Sequence, residues 1–134
     1  MADRIFLDTS FVIALINERD QYHDQAQALS YKFENFALLT TSPVLLEIGN
    51  ALAKDFRGQA ANIIKVLAGS TRVEVAEIDL NLLKKGLAVY ENYADKTWGL
   101  VDCISFVVMR EAEVNQVLTF DRDFAQAGFS VLSN

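Results

Sequence analysis

Two aspartates that follow short apolar runs are the first residues in this sequence that suggest chemistry. Asp8 ends the run RIFLD and Asp121 ends the run VLTFD. If both runs are parallel strands, their carboxyl ends meet at one edge of the sheet, which is where ligands bind in α/β folds. Aspartate is also a good helix N-cap, so a purely structural role stays open for either residue.

A third aspartate, Asp102, lies in apolar surroundings. The stretch WGLVDCISFVVM, residues 98–109, is apolar almost all round a helical projection, which is typical of a buried helix, and Asp102 is its only charge. A buried carboxylate is costly unless it is paired, hydrogen-bonded or bound to a cation. Capping of the first helical turn is the alternative. Ser105, one turn further on, would share the face of Asp102 and could bond to the carboxylate or to a substrate.

A fourth acid, Glu47, gives no such signal by itself. In SPVLLEIGNALAK its helical phase places it near Asn50 and Lys54, opposite the apolar stripe. Periodicity alone therefore predicts that Glu47 lies on a solvated face.

The sequence restricts the kind of metal site that the chain can form. Cys103 is the only cysteine and His23 the only histidine, so one chain forms neither an internal disulfide nor a Cys/His zinc site. Any bound metal would be held by oxygen. We interpret His23 as structural and Cys103 as a small buried hydrophobe.

Strand and helix patterns alternate along the chain. Strands are predicted at 4–7, 37–40, 73–78, 116–120 and 129–132, and helices at 9–18, 22–35, 58–69, 79–95 and 99–113, with a further helix that is capped by Ser42, has Pro43 at its first position and continues to Phe56. This alternation predicts an α/β fold, a three-layer α/β/α sandwich around a mainly parallel sheet of four to five strands. The length fits a single domain, 1–134.

The composition is that of a soluble globular protein, with 51% hydrophobic and 22% charged residues. We find no apolar run long enough for a membrane span and no signal peptide, so we expect a cytoplasmic protein without membrane contact. The net charge of −6 argues against nucleic-acid binding, because such proteins usually carry a basic surface.

Four motifs in one order, LDTS, LLEIGNAL, WGLVDCISF and TFDRDF, resemble those of the PIN-domain nucleases. From about residue 5 to residue 132 the chain is similar to the VapC-type toxin ribonucleases of that family. The resemblance implies a catalytic set of Asp8, Glu47, Asp102 and Asp121, with metal held by Asp8, Asp102 and Asp121, and supporting roles for Thr9, Ser10, Ser105 and Asp123. It thus contradicts the solvated interpretation of Glu47. For Asp123, a first-turn aspartate favoured by the helix dipole is the alternative.

The function implied by the resemblance is that of an Mg²⁺- or Mn²⁺-dependent endoribonuclease, the toxin of a type II toxin-antitoxin pair. It also implies an RNA substrate, a cognate antitoxin protein and a homodimer. Hard cations prefer oxygen ligands, and two of them would offset part of the acidic charge. Helices in the range 42–69 carry more apolar residues than one buried stripe needs, namely Leu46, Ala53, Ile63, Ile64, Val66 and Leu67, which predicts a binding surface there.

Two other classes share some of these features. A phosphoacceptor receiver or aspartyl-phosphatase domain also gathers acids at the ends of parallel strands, but a phosphatase of the haloacid type would need an aspartate where this chain has Ser10. A catalytically inactive PIN-like scaffold is the other alternative. The presence of all four acids argues against it.

Overall fold

The computed structural model describes residues 3–134 and contains five strands and seven helices. The strands are β1 (Arg4–Leu7), β2 (Ala37–Thr41), β3 (Val73–Ala76), β4 (Gln116–Leu118) and β5 (Ser130–Val131). The helices are α1 (Thr9–Ile16), α2 (His23–Lys32), α3 (Ser42–Ala51), α4 (Arg57–Gly69), α5 (Leu80–Asn92), α6 (Leu100–Glu111) and α7 (Asp123–Gln126).

All five strands form one parallel sheet in the order β3-β2-β1-β4-β5. The chain builds outward from β1 to β3 and then returns to place β4 against the other side of β1. Right-handed crossovers in these two directions put α1 to α4 on one face and α5 and α6 on the other. The helix contacts agree, since α1 packs on α2 and α3 while α5 packs on α6. The predicted α/β sandwich is confirmed, with a sheet that is entirely parallel.

Both faces of the central strands are covered, which explains why their sequences are apolar without alternation. In β1, Ile5 and Phe6 are completely buried and Leu7 nearly so. Helix α6 is buried from Cys103 through Met109, as its apolar pattern predicts. Its Phe106 ring packs edge-on against Phe124 of α7, with 5.0 Å between the ring centroids. This packing fixes the start of α7, and with it the loop after β4, against α6.

Helix α3 differs from its prediction at both ends. Its N-cap is Thr41 rather than Ser42, because the extended backbone of Thr41 at the end of β2 lets its hydroxyl accept from the Val44 N–H at 3.1 Å. The Ser42 hydroxyl instead accepts from the Ile78 N–H. The helix ends at Ala51 rather than continuing to Phe56, which is the N-cap residue of α4.

The predicted apolar surface at residues 42–69 is exposed in part. Leu46 and Val66 are 66% and 60% exposed. Leu67 belongs to the core, and Ile63 and Ile64 pack partly against it, because α4 turns this side toward α1 and the sheet. Along residues 3–134, no helix is long and apolar enough to cross a bilayer.

Candidate active site

The acidic residues that follow β1 and β4 lie at the point where the strand order reverses. These two strands are neighbours, and the Asp8 N–H bonds to the Leu118 carbonyl at 3.2 Å. Asp8 is also the N-cap of α1, accepting from the Ser10 N–H, so the capping interpretation holds for this residue. In open α/β sheets this crevice is the usual ligand site.

Two hydroxyl groups orient the Asp8 carboxylate, which is 3% exposed as a residue. Thr119 and Ser10 donate to its Oδ2 at 2.7 and 2.8 Å. Burial raises the pKa of Asp8, and these two hydrogen bonds oppose that rise without cancelling it. The Thr119 hydroxyl also accepts from the Asp121 N–H at 2.9 Å, so one side chain positions the acids of both strands.

Thr119 is the residue of this site that the sequence analysis missed. Its position two residues before Asp121, near the end of an apolar run, is the only sequence signal for it. Serine or threonine at such a place also fits an ordinary strand end. Only the spatial pairing with Asp8, 111 positions away, distinguishes the two roles.

Asp102 is the third residue of α6, whose N-cap, Gly99, has no side chain. No bond from the Asp102 carboxylate to a backbone N–H of this first turn is present in the described part of the chain, so it is not a cap. Burial first, and then the negative charges of the four surrounding acids, raise the pKa of Asp102 to about 8 from 3.8. The carboxylate is therefore held where its own charge is unfavourable.

The tightest acidic group contains Asp123 rather than Asp8. Carboxylate oxygens of Asp102, Asp121 and Asp123 all lie within 4.8 Å of one another, the one such group in residues 3–134. The predicted ligand set of Asp8, Asp102 and Asp121 stays a prediction, and Asp123 joins two of its members in this group. Asp123 lies in the group because it turns in beside Asp121, whose Oδ1 accepts from the Asp123 N–H at 2.9 Å, whereas Oδ2 of Asp8 is bound by hydroxyls.

Asp123 opens α7, as the dipole interpretation required, and it also belongs to the acidic group. Burial and the adjacent charge of Asp121 raise its pKa. The two interpretations of this residue are therefore compatible, since a first-turn position and a place among the other carboxylates coincide.

Glu47 completes the wall of the cavity, contrary to its helical phase. Helix α3 packs on α1, and the Thr9 hydroxyl donates to Glu47 Oε1 at 2.7 Å. Glu47 is therefore half-buried rather than fully solvated, because α1 packs against the flank of α3 that carries it. The resulting cavity of about 590 Å³ is lined by Asp8, Thr9, Ser10, Ile13, Glu47, Asn50, Ala51, Asp102 and Asp121.

Ser105 does not reach this cavity. It is completely buried, and its hydroxyl donates to the Val101 carbonyl one turn earlier at 3.0 Å. The expected bond to Asp102 is therefore absent, because a serine inside a buried helix satisfies its hydroxyl on its own helix. His23 is structural, with Nδ1 2.8 Å from the Ala14 carbonyl oxygen. Cys103 is buried, and burial raises the pKa of its thiol, which disfavours a nucleophilic role.

No basic side chain in residues 3–134 forms an ion pair with these acids, although the Arg122 charge opposes the rise in the pKa of Asp123. Within residues 3–134 the ion pairs are Arg4–Glu74, Arg19–Asp55, Lys85–Glu111 and Lys96–Asp95, and none involves the cavity. An all-oxygen group of carboxylates without ion-pair partners is the donor set that Mg²⁺ or Mn²⁺ prefers. The residues present fit a hard divalent cation.

The fold and the acid group at its switch point define a class of protein. Comparison with known sequences and structures identifies that class. The PIN domain family model matches residues 5–130, and the chain belongs to the PIN-domain family. It is 31% identical over 125 residues to the 23S rRNA-specific endonuclease VapC20 of Mycobacterium tuberculosis, strain ATCC 25618 / H37Rv, covering 93% of this chain and 95% of the relative.

Solved structures agree with this relationship. The crystal structure of Mycobacterium tuberculosis VapC20, described as a Sarcin-Ricin loop cleaving toxin, matches with a TM-score of 0.87 and 29% identity, over 97% of this chain and 99% of that one. FitAcB from Neisseria gonorrhoeae matches with a TM-score of 0.64 and 15% identity, over 96% of both chains. The second match shows a shared fold.

Proposed function

We propose that the protein is a metal-dependent endoribonuclease that hydrolyses RNA phosphodiester bonds and serves as the toxin of a type II toxin-antitoxin pair. The observation that carries this proposal is the group of carboxylates, without ion pairs in residues 3–134, at the switch point of the sheet. The relationship to a 23S rRNA-specific endonuclease, at 31% identity over most of both chains, supports RNA as the substrate class. A ribosomal substrate would place the protein in the cytoplasm.

We assign the cation to Asp102, Asp121 and Asp123, with Asp8 and Glu47 completing the wall of the site. When bound, Mg²⁺ or Mn²⁺ supplies a Lewis acid that activates water and offsets charge on the phosphate. The chain itself holds the acids in place. Thr119 and Ser10 orient Asp8, and Thr9 orients Glu47, which leaves Asp8, Glu47, Asp102 and Asp121 as the proposed catalytic set.

The test is cleavage of purified total RNA with Mg²⁺, Mn²⁺ or EDTA, followed by identification of the product ends. We expect cleavage only with metal, giving a 5′-phosphate and a 3′-hydroxyl, because water rather than the ribose 2′-hydroxyl is the nucleophile. A 2′,3′-cyclic phosphate, or full activity in EDTA, would contradict the proposal. Either result would favour metal-independent cleavage. The chain itself argues against that chemistry, because the single His23 cannot form a pair of histidines for acid/base catalysis.

A cognate antitoxin and a homodimer are proposed as partners. The support is the resemblance to the toxins together with the exposed Leu46 and Val66 on α3 and α4. Light scattering at several concentrations, with and without the product of the adjacent gene, measures both associations. A protein that stays monomeric and does not bind that product would contradict the partner proposal and leave the nuclease proposal intact.

A further inference from the structure

A second cavity opens directly beside the acidic one. It measures about 650 Å³ and is lined by Ser10, Ile13, Asp20, Gln21, Tyr22, Phe120, Asp121 and Arg122. Three of these residues, Ser10, Ile13 and Asp121, also line the acidic cavity. The two cavities are therefore adjoining parts of one cleft.

The wall of the second cavity is aromatic, and a core residue packs behind it. The rings of Tyr22 and Phe120 stack with 4.6 Å between their centroids and 4° between their planes. Phe120 in turn stacks on Phe11, a core residue that is 3% exposed, with 5.8 Å between the centroids. Phe11 anchors this ladder of three rings, and the half-buried Tyr22 and Phe120 present it to the cavity.

Local hydrogen bonds hold the backbone on both sides of the ladder. The Tyr22 N–H donates to Asp20 Oδ1 at 2.8 Å, and the Phe120 N–H donates to the Ser10 hydroxyl at 3.0 Å. That hydroxyl is the one that also binds Asp8. The aromatic wall and the first acid of the site are therefore fixed by one side chain, which sets their relative position before any substrate arrives.

The charge of the cavity selects what it can bind. Its lining contains the carboxylates of Asp20 and Asp121 and only one cation, Arg122. A phosphate group would meet a net negative wall there. A nucleobase carries no charge, and any of the four bases can stack on an aromatic ring. Because stacking needs no positive charge, it suits a protein whose net charge is −6. The polar ends of Gln21 and Arg122 remain for the edge of such a base.

We propose that Tyr22, supported by Phe120, is a base-stacking subsite for the nucleotide next to the scissile phosphate. The juxtaposition of the ring ladder with the acid group carries this inference, which rests on the proposed nuclease function. Tyr22 is on this account a substrate-binding residue, and Phe120 a positioning residue that holds its ring.

The experiment uses a short single-stranded RNA that contains a cleavage site mapped in total RNA, with 2-aminopurine at each position in turn. Binding to the Asp102→Asn protein is followed by anisotropy, and stacking by the loss of 2-aminopurine fluorescence. We expect quenching at a position adjacent to the cleaved bond. Tyr22→Leu should abolish the quenching and weaken binding about tenfold, and Tyr22→Phe should retain both, because only the ring is required.

Tyr90→Leu is the matched control, since Tyr90 is an exposed tyrosine of α5, which contributes no residue to the cavity. It should leave both signals unchanged. Equal quenching and affinity in Tyr22→Leu, in a protein that cleaves RNA, would overturn the subsite and leave the nuclease assignment standing. If the unmodified protein cleaves no RNA, the proposed function fails, and the subsite fails with it.

Discussion

The two ends of α6 carry carboxylates in opposite situations. Asp102, near its first residue, faces the carboxyl edge of the sheet among other acids, none of which forms an ion pair within residues 3–134. Glu111, at its last residue, lies toward the amino edge and pairs with Lys85 at 2.6 Å. At the same edge, the first strand contributes Arg4, which pairs with Glu74.

This difference separates stability from function along one helix. Acids at the amino edge are paired and largely solvated, so they cost little and contribute little. Acids at the carboxyl edge are crowded, and burial raises the pKa of Asp102 and Asp8. A protein keeps such an unfavourable arrangement where a ligand compensates it, which is why the carboxyl edge is the candidate site.

Asp102→Asn should produce the largest effect. It removes a proposed ligand without changing the shape of the side chain, so we expect RNA cleavage to fall on the order of a thousandfold, as the loss of several kcal/mol of charge stabilisation implies. Initial rates at saturating Mg²⁺ measure this. Wild-type rates in the variant would mean that the crowded acids are not the catalytic site.

The same variant should change how the stability of the metal-free protein depends on pH. Folding raises the pKa of Asp102 from 3.8 to about 8, so the folded state holds a proton that the unfolded state releases between these values. Stability should therefore fall as pH rises from about 4 to 8. Thermal melts across this range should show a shallower fall in Asp102→Asn. If stability falls equally with pH in both proteins, the pKa of Asp102 is not raised by folding.

Thr119→Val should have an intermediate effect. Valine keeps the shape of threonine but loses the donor to Asp8 and the acceptor for the Asp121 N–H, so we expect a loss of about 1–3 kcal/mol in stability together with about tenfold slower cleavage. Urea unfolding and cleavage rates measure the two effects, and Thr119→Ser should restore both.

Thr40→Val is a matched control for this substitution. Thr40 is buried in β2 and donates to the Leu7 carbonyl at 2.9 Å. The Thr40→Val protein should lose a comparable amount of stability and keep its cleavage rate. If the Thr119→Val protein also loses stability and keeps its activity, the role of Thr119 is only structural.

Glu111→Gln should have the smallest effect, although it also removes a carboxylate from α6. The pair with Lys85 is about half exposed on both sides, so we expect a stability change within about 1 kcal/mol and unchanged cleavage. Denaturant melts and cleavage assays run beside Asp102→Asn measure the contrast directly. A large loss of activity here would remove the distinction between the two ends of the helix.

The sequence alone determined most of the framework. The apolar run of β1 and the continuous apolar surface of α6 predicted elements that the structure contains, because burial on both faces leaves a signature in single segments. The parallel sheet followed from the alternation of strands and helices, and the placement of Asp8 and Asp121 at one edge followed from the sheet. These inferences need only the period of each segment and the general rules of α/β topology.

Tertiary structure decided the details on which the chemistry depends. Helical phase describes a side chain relative to its own helix, so it placed Glu47 opposite the core without indicating that α1 supplies the Thr9 hydroxyl on that side. For the same reason Ser105 shared a face with Asp102 in projection yet bonds within its own helix. Asp123 joined the acid group, and Thr119 bound Asp8, through contacts between segments distant in sequence. Such contacts depend on the relative placement of packed elements, which the periodicity of an individual segment does not encode.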